Sequence, residues 1–386
     1  MKHLRILPTL FTKYLIQLAY FLTSLFLKVD HNKITIATYR STGLEGNLAF
    51  IKEEIDQNYP NIKCIVLAKK FNSSLAGKIE YAIHLIKASF HMATSRFFII
   101  DDFYFPVYVI HPRGGTEIVQ VWHAAGAFKK FGLSTMGKSF GPSSDYLKHV
   151  KIHANYSRVY VSSKEVVPHY ADAFGMDEGR IYPLGVPRTD YFFDEERQNL
   201  VKEKLYRSFP DLKNRKLILY APTFRGKSHY QETFNIPIDM RLMKDSLSDE
   251  YALLIHLHPY MTNGVRLDEN LKGFAYHIHK DFSIEELLLL SDILITDYSS
   301  IIFDYSILNR PIAFFVHDLE SYLEERDFYY SFESFVPGPI LYESEALIKW
   351  IIDESKDLEK IKCFRLRFFD QLDGKASERI VKDLLG

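Results

Sequence analysis

At 386 residues the chain is too long for one compact core, so two domains are expected. Its 47% apolar and 25% charged content excludes wholesale disorder, and 48 basic against 49 acidic residues exclude the one-signed field of a nucleic-acid-binding protein. Two cysteines, Cys64 and Cys363, are too few for a disulfide scaffold and read as buried thiols in a reduced, cytosolic compartment.

The first predicted element departs from ordinary soluble sequence. Tyr14 to Leu27 reads YLIQLAYFLTSLFL, interrupted only by Gln17, Thr23 and Ser24. As a helix it spans ~21 Å, short of the ~30 Å hydrocarbon core of a bilayer. Lys13, Gln17, Ser24 and Lys28 fall on one narrow stripe and leave a wide apolar face, with Lys2, His3 and Arg5 ahead of it. No small-residue cleavage site follows, which argues against a secretory signal. The pattern predicts an amphipathic helix over residues 1–30 lying on the cytoplasmic leaflet. A helix packed on its own domain or on a second subunit is the competing reading.

From Lys33 onward, short apolar runs alternate with helical spacing. ITIATY (34–39), KCIVLA (63–68), RFFIIDD (96–102), EIVQVWH (117–123), VYVSS (159–163) and RIYPLG (180–185) read as strands, with helices over Gly46–Gln57 and Gly77–Thr94. Continuous apolar runs of this length suit parallel strands buried on both faces. Residues 186–214, with Pro187, Pro210 and many charges, read as a connection. The scheme then repeats in KLILYAP (216–222), ALLIHLHP (252–259), DILITD (292–297) and IAFFVHD (312–318). The expected fold class is α/β: two Rossmann-type, doubly wound domains over 31–195 and 196–386, facing a central cleft.

The polar residues that stand out come at strand ends, where such sheets bind ligands. In VQVWHAAGAFKKFG (119–132), His123 ends a strand and is followed by Ala124, Ala125 and Gly126, then Lys129 and Lys130. Small residues permit close approach, and a histidine there suits a general base, against a structural histidine at a strand edge. Thr223, Arg225 and Lys227 follow the strand 216–222, and Arg and Lys both suit phosphate oxygens. His256 and His258 share a strand face, but no third ligand at zinc spacing accompanies them, so a donor histidine near phosphate fits better than a metal site. Finally, TDYSS (296–300) joins an apolar strand to a helix start. Ser299 and Ser300 with free backbone amides could cradle a diphosphate, or merely cap the helix, and Asp304 lies one turn further on the same face. Neither a GxGxxG nor a GxxxxGK[ST] loop is present, which argues against dinucleotide and P-loop enzymes. Histidines, cations and a serine-lined helix start together suit transfer of a phosphorylated or glycosyl group from a nucleotide-diphosphate donor, without a covalent intermediate.

These blocks, in order WHAAGAFKKFG (122–132), YVSSKEVVPHYADAFG (160–175), APTFRG (221–226), LHP (257–259), TDYSSIIFDY (296–305), NRPIAFFVHDLESY (309–322) and FVPGP (335–339), resemble the CDP-glycerol glycerophosphotransferase family of teichoic-acid primases and polymerases. The resemblance covers residues 95–345 and implies a GT-B-like enzyme, peripheral on the cytoplasmic side of the cell membrane, with 31–195 the acceptor side and 196–386 the donor side. It implies His123 as the base and His258 with Arg225 at the donor phosphates. It also implies Thr296, Ser299 and Ser300 at the donor diphosphate, Asp297 and Asp304 beside them, and Arg326 near the donor. Gly126, Lys129 and Thr223 complete the expected substrate contacts. The expected donor is CDP-glycerol, with CDP-ribitol the alternative, and the acceptor an undecaprenyl-diphosphate-linked saccharide. No tightly bound cofactor or divalent metal is indicated, no nucleic-acid partner is expected, and a homo-oligomer is open. Family polymerases read WHGTP where this chain has Trp122-His123-Ala124-Ala125-Gly126, and the chain lacks their long amino-terminal region; both look more like primases. A nucleotide-sugar glycosyltransferase on the same fold is the rival reading.

Overall fold

The structure, a computed structural model, describes residues 6–138, 140–223, 235–257, 267–278 and 281–386. The chain forms two compact units. The first comprises the chain up to Asp190 together with Glu325–Tyr329 and Phe368–Gly386; the second comprises Tyr191–Glu324 and Tyr330–Arg367.

The first unit is built on a six-stranded sheet, order β2-β1-β3-β4-β5-β6. Its strands are β1 (Asp30–Thr38), β2 (Lys63–Ala68), β3 (Ser95–Ile100), β4 (Glu117–Gln120), β5 (Arg158–Tyr160) and β6 (Ile181–Tyr182), all pairing in parallel. Phe97, Phe98, Ile99 and Ile100 are fully buried, which is why this strand reads as an unbroken apolar run. The second unit repeats the plan in the order β12-β11-β10-β7-β8-β9. Here β7 (Lys216–Tyr220), β8 (Tyr251–Ile255), β9 (Ala275–His277), β10 (Ile293–Thr296), β11 (Ile312–Phe315) and β12 (Ile340–Leu341) are again parallel. β9 and β12 are not among the strands read from the sequence. Each sheet reverses its winding once, between β1 and β3 in the first and between β7 and β10 in the second. Such switch points open a crevice beyond the carboxyl ends of the flanking strands.

The expected contiguous division into 31–195 and 196–386 needs correcting at the carboxyl terminus. The helix Ala376–Leu385 buries Ile380, Val381 and Leu384 in the first unit's core, against Leu48, Ile51 and Ile55 of α2 (Gly46–Asn58). Asp190 carboxylate oxygens accept from Ala376 N and Ser377 N at 2.8 Å each, which fixes that helix start. The thiols also differ from expectation: Cys363 is exposed, and Cys64 is half-buried against the first unit's core.

The amino-terminal helix α1 (Leu7–Phe26) packs on α3 (Leu75–Thr94), with Ile16 and Tyr20 buried. Its polar stripe faces the protein. Lys13 Nζ donates to the His149 carbonyl at 2.8 Å, Gln17 Nε2 to the Val109 carbonyl at 2.7 Å, and Tyr20 Oη accepts from Arg113 N at 2.9 Å. The apolar face is left outward, with Phe11 72% and Phe26 77% exposed, alongside Tyr14, Leu18, Phe21, Leu22 and Leu25. From α3, Leu75, Ile79, Ile83, Ile86 and Phe90 add to the same kind of surface. Among the described residues no helix is long and apolar enough to cross a membrane.

Candidate active site

In the first unit the site grows from the carboxyl ends of β1, β3 and β4. β4 stops at Gln120, and Trp122 then takes a left-handed conformation, φ 49°, which is costly for a bulky residue and needs support. That support is dense. Asn47 Nδ2 donates to the Trp122 carbonyl at 2.8 Å, and Gln120 Oε1 accepts from Trp122 N at 2.8 Å. The Trp122 ring stacks on Phe131 with centroids 5.0 Å apart and meets Phe174 edge-on. Gly132 lets this layer close: at φ +58°, an added Cβ would stand 2.3 Å from the Ala173 carbonyl oxygen.

The turn aims His123 away from the strand, its ring 4.5 Å from the Trp122 ring and its carbonyl accepting from Arg188 NH1 at 2.6 Å. His123 Nδ1 lies 3.3 Å from Asp102 Oδ2, and Arg40 NH1 lies 3.2 Å from the same oxygen. Burial pushes the His123 pKa down to about 4; Asp102 opposes this, while Arg40 and Arg188 add to it. The imidazole is therefore neutral at neutral pH, as a base must be. Arg40, Asp101, Asp102 and Arg188 were not among the expected site residues. The paired acids closing RFFIIDD are the one signal that could have drawn attention to them.

Gly126 and Lys129 continue from His123. Gly126 is buried, its carbonyl accepting from Tyr170 Oη at 3.4 Å, and Lys129 pairs antiparallel with Phe328. That pairing relocates Arg326, expected on the donor-side domain. Lys130 N donates to the Asp327 carbonyl at 2.8 Å and Tyr329 N to the Phe128 carbonyl at 2.9 Å, so Glu325–Tyr329 belongs to the first unit. Arg326 lies over the Phe140 ring at 5.5 Å.

In the second unit the switch point joins two expected residues directly. Asp297, buried beyond β10, accepts through Oδ1 from Thr223 N at 2.8 Å beyond β7 and from Tyr298 N at 2.6 Å. Thr296 is also buried, its hydroxyl donating to the Ala221 carbonyl at 2.7 Å, so it braces β7 against β10 rather than facing a ligand. Ser299 Oγ accepts from Ile301 N at 3.4 Å, while Ser300, the exposed N-cap of the helix Ile301–Ser306, makes no side-chain capping bond. Asp304 is buried within that helix. Tyr298 is fully buried and stacks on Tyr322 with centroids 3.9 Å apart, so it is packing. His256 Nδ1 is 3.1 Å from the Ile278 carbonyl oxygen. Arg225, Lys227 and His258 lie outside the described residues. Gly338 of FVPGP is a packing residue, since a Cβ there would stand 2.0 Å from the Ile312 carbonyl oxygen.

Asp297→Ala is expected to cost roughly 1–3 kcal/mol in equilibrium unfolding, because it strips the acceptor from two backbone donors at a buried strand end. An unchanged unfolding midpoint would show that the brace carries no stability.

Comparison with known proteins identifies the scaffold. The family model described as CDP-glycerol:poly(glycerophosphate) glycerophosphotransferase matches residues 19–386, and the chain belongs to that family of teichoic-acid phosphotransferases. It is 45% identical to the teichoic acid ribitol-phosphate primase of Bacillus spizizenii, over 94% of this chain and 93% of that protein. It is 31% identical to the teichoic acid glycerol-phosphate primase of Bacillus subtilis, over 87% and 88% respectively. Among solved structures it shares the fold of the wall teichoic acid polymerase TagF, with TM-score 0.78 and 23% identity over 100% of this chain and 95% of that one.

Proposed function

We propose that this protein transfers ribitol phosphate from CDP-ribitol to a hydroxyl of an undecaprenyl-diphosphate-linked saccharide, releasing CMP, as a primase-type member of a GT-B-like family. What carries the choice of ribitol over glycerol is the 45% identity, over nearly the full length of both chains, to a ribitol-phosphate primase, against 31% to a glycerol-phosphate primase. In this reading the acceptor oxygen attacks the phosphorus that bears the ribitol, the bond to the bridging oxygen of the diphosphate breaks, and CMP departs. His123 takes the acceptor proton. Ser299, Ser300 and the cation Arg225 hold the donor diphosphate and the charge that grows on the leaving phosphate.

The outward apolar face of α1 supports membrane attachment. A helix that turns Lys13 and Gln17 to the protein and Phe11, Leu18 and Phe21 outward is inverted for a water-facing element and suits the interface of a bilayer. Exposed Lys28, Lys78 and Lys87 border the apolar side chains of α1 and α3 and match an anionic leaflet. In our reading the enzyme sits on the cytoplasmic face, where its lipid-linked acceptor is presented.

The decisive experiment incubates the protein with CDP-ribitol or CDP-glycerol and a synthetic prenyl-diphosphate saccharide, followed by mass analysis. Expected are CMP and an acceptor extended by ribitol phosphate. Turnover of CDP-glycerol alone would move the donor assignment to glycerol, and turnover of neither would overturn the reading.

A further inference from the structure

We infer that Asp102 is the positioning residue for His123. It keeps the ring proton on Nδ1, leaves Nε2 as the base, and stabilises the imidazolium formed when the acceptor proton is taken. The inference rests on the reading of His123 as that base.

The geometry carries it. His123 Nδ1 is buried and makes no hydrogen bond among the described residues, yet the side chain is 37% exposed, so the open edge is the one bearing Nε2. The buried nitrogen faces Asp102 Oδ2, and the Asp101 backbone acts on the ring in the sense that favours its protonated form. A carboxylate oxygen 3.3 Å from the buried nitrogen, near it but not hydrogen-bonded in this structure, favours a proton on Nδ1 over a bare lone pair facing it. Asp102 is itself held in place. Its side chain is only 15% exposed, Arg40 pairs with Oδ2, Phe103 N donates to Oδ1 at 2.6 Å, and Gln120 Nε2 donates to its backbone carbonyl at 3.0 Å. Gln120 also accepts from Trp122 N, so one fully buried side chain ties the strand ends carrying Asp102 and His123 together. In the transfer step the acceptor O–H bond breaks, its oxygen bonds to the donor phosphorus, the proton passes to Nε2, and CMP leaves with the P–O bonding pair. The positive charge then on the ring lies against the Asp102 carboxylate.

Among the described residues, the charged and titratable groups facing His123 are Asp102 and Asp101 after β3, Arg40 after β1, and Arg188 after β6. Asp101 is half-buried, and desolvation raises its carboxyl pKa to about 6, so it enters any pH profile. Removing the Asp102 charge lowers the pKa of His123; removing Arg40 raises it.

The test is the single-turnover rate as a function of pH, with CDP-ribitol and a prenyl-diphosphate saccharide. Asp102→Asn is expected to lose about 10²-fold or more in rate, with KM for the donor within about twofold of wild type, and to move the acid limb to lower pH. Arg40→Gln is expected to move that limb to higher pH, and Asp102→Glu to restore part of the rate. A merely structural role would not move the limb in opposite directions for the two variants. Histidine-ring ¹⁵N NMR of the unaltered protein gives an independent readout, the expected result being a proton on Nδ1 of His123. An Nε2–H tautomer, or an Asp102→Asn enzyme with wild-type rate and limb, would overturn the inference while an inactive His123→Ala kept the base assignment. An active His123→Ala enzyme would instead remove the base reading itself.

Discussion

His123→Ala is expected to lower the rate of transfer by about 10²–10⁴-fold, the usual contribution of a positioned general base, while CDP-ribitol affinity changes by less than about twofold. The separation follows from where the residue sits. His123 belongs to the first unit, beyond β4, whereas the Asp297–Ser300 turn expected to meet the donor diphosphate belongs to the second. If His123 is the base proposed above, truncating the ring removes the proton acceptor and leaves in place the braces of that turn, Thr296 to Ala221 and Asp297 to Thr223. Rapid-quench turnover with calorimetric titration of the donor reads the two quantities separately. A parallel loss of both would mean that the ring holds substrate rather than a proton.

The same residue sets a pH dependence. With its pKa held near 4, His123 is neutral from pH 7 down to about 5, so any change of activity in that range is expected to come from Asp101, and the steep loss to follow as the ring protonates below it. Stability falls in an overlapping window. Burial likewise lowers the pKa values of His84 and His153 to about 4, from 6.5. A histidine whose folded-state pKa is depressed binds its proton more readily when unfolded. Its contribution is therefore complete above 6.5 and is lost progressively as pH falls from 6.5 toward 4. Circular dichroism over the same range separates protonation of the base from acid unfolding.

What the sequence conveyed follows from the physics of parallel sheets. Runs such as FFII and LILY are apolar on both faces because both faces are covered, so the longer strands were legible as unbroken runs. His123 stood out because a polar residue followed by Ala-Ala-Gly at a strand end is unusual. Asp102 did not, since its meaning lies in a contact between the ends of β3 and β4, which no spacing along the chain encodes. A carboxylate beside an expected diphosphate, such as Asp297, needs a partner, and the two backbone N–H groups that supply it are not legible in sequence. Arg326 was placed with the wrong unit for a similar reason: only the pairing of Lys129 with Phe328 reveals where that segment lies. The helix Ala376–Leu385 advertises an apolar face but not which sheet receives it.

Converting the outward face of α1 to a charged one, by Phe11→Glu, Leu18→Glu and Phe21→Glu together, is expected to abolish binding to vesicles containing anionic lipid. Each of these side chains is exposed, so substitution leaves the buried Ile16 and Tyr20 contacts with the protein in place and the fold intact. Full burial of such a side chain contributes about 1.5–3 kcal/mol, and partial burial at an interface roughly 1 kcal/mol. Losing three therefore weakens membrane partition by at least ~3 kcal/mol, more than 10²-fold, before the cost of three carboxylates near anionic headgroups is added. Replacing Lys28, Lys78 and Lys87 should act differently, reducing binding to anionic vesicles with little effect on neutral ones, because their contribution is electrostatic and screened by salt. Co-sedimentation measures both effects. Activity on a short, water-soluble acceptor analogue should survive the α1 substitutions, while activity on a vesicle-borne acceptor should be lost with binding. If vesicle binding persisted in the triple variant, the inverted polarity of α1 would have to be answered by a protein partner instead, since water leaves its apolar face uncovered.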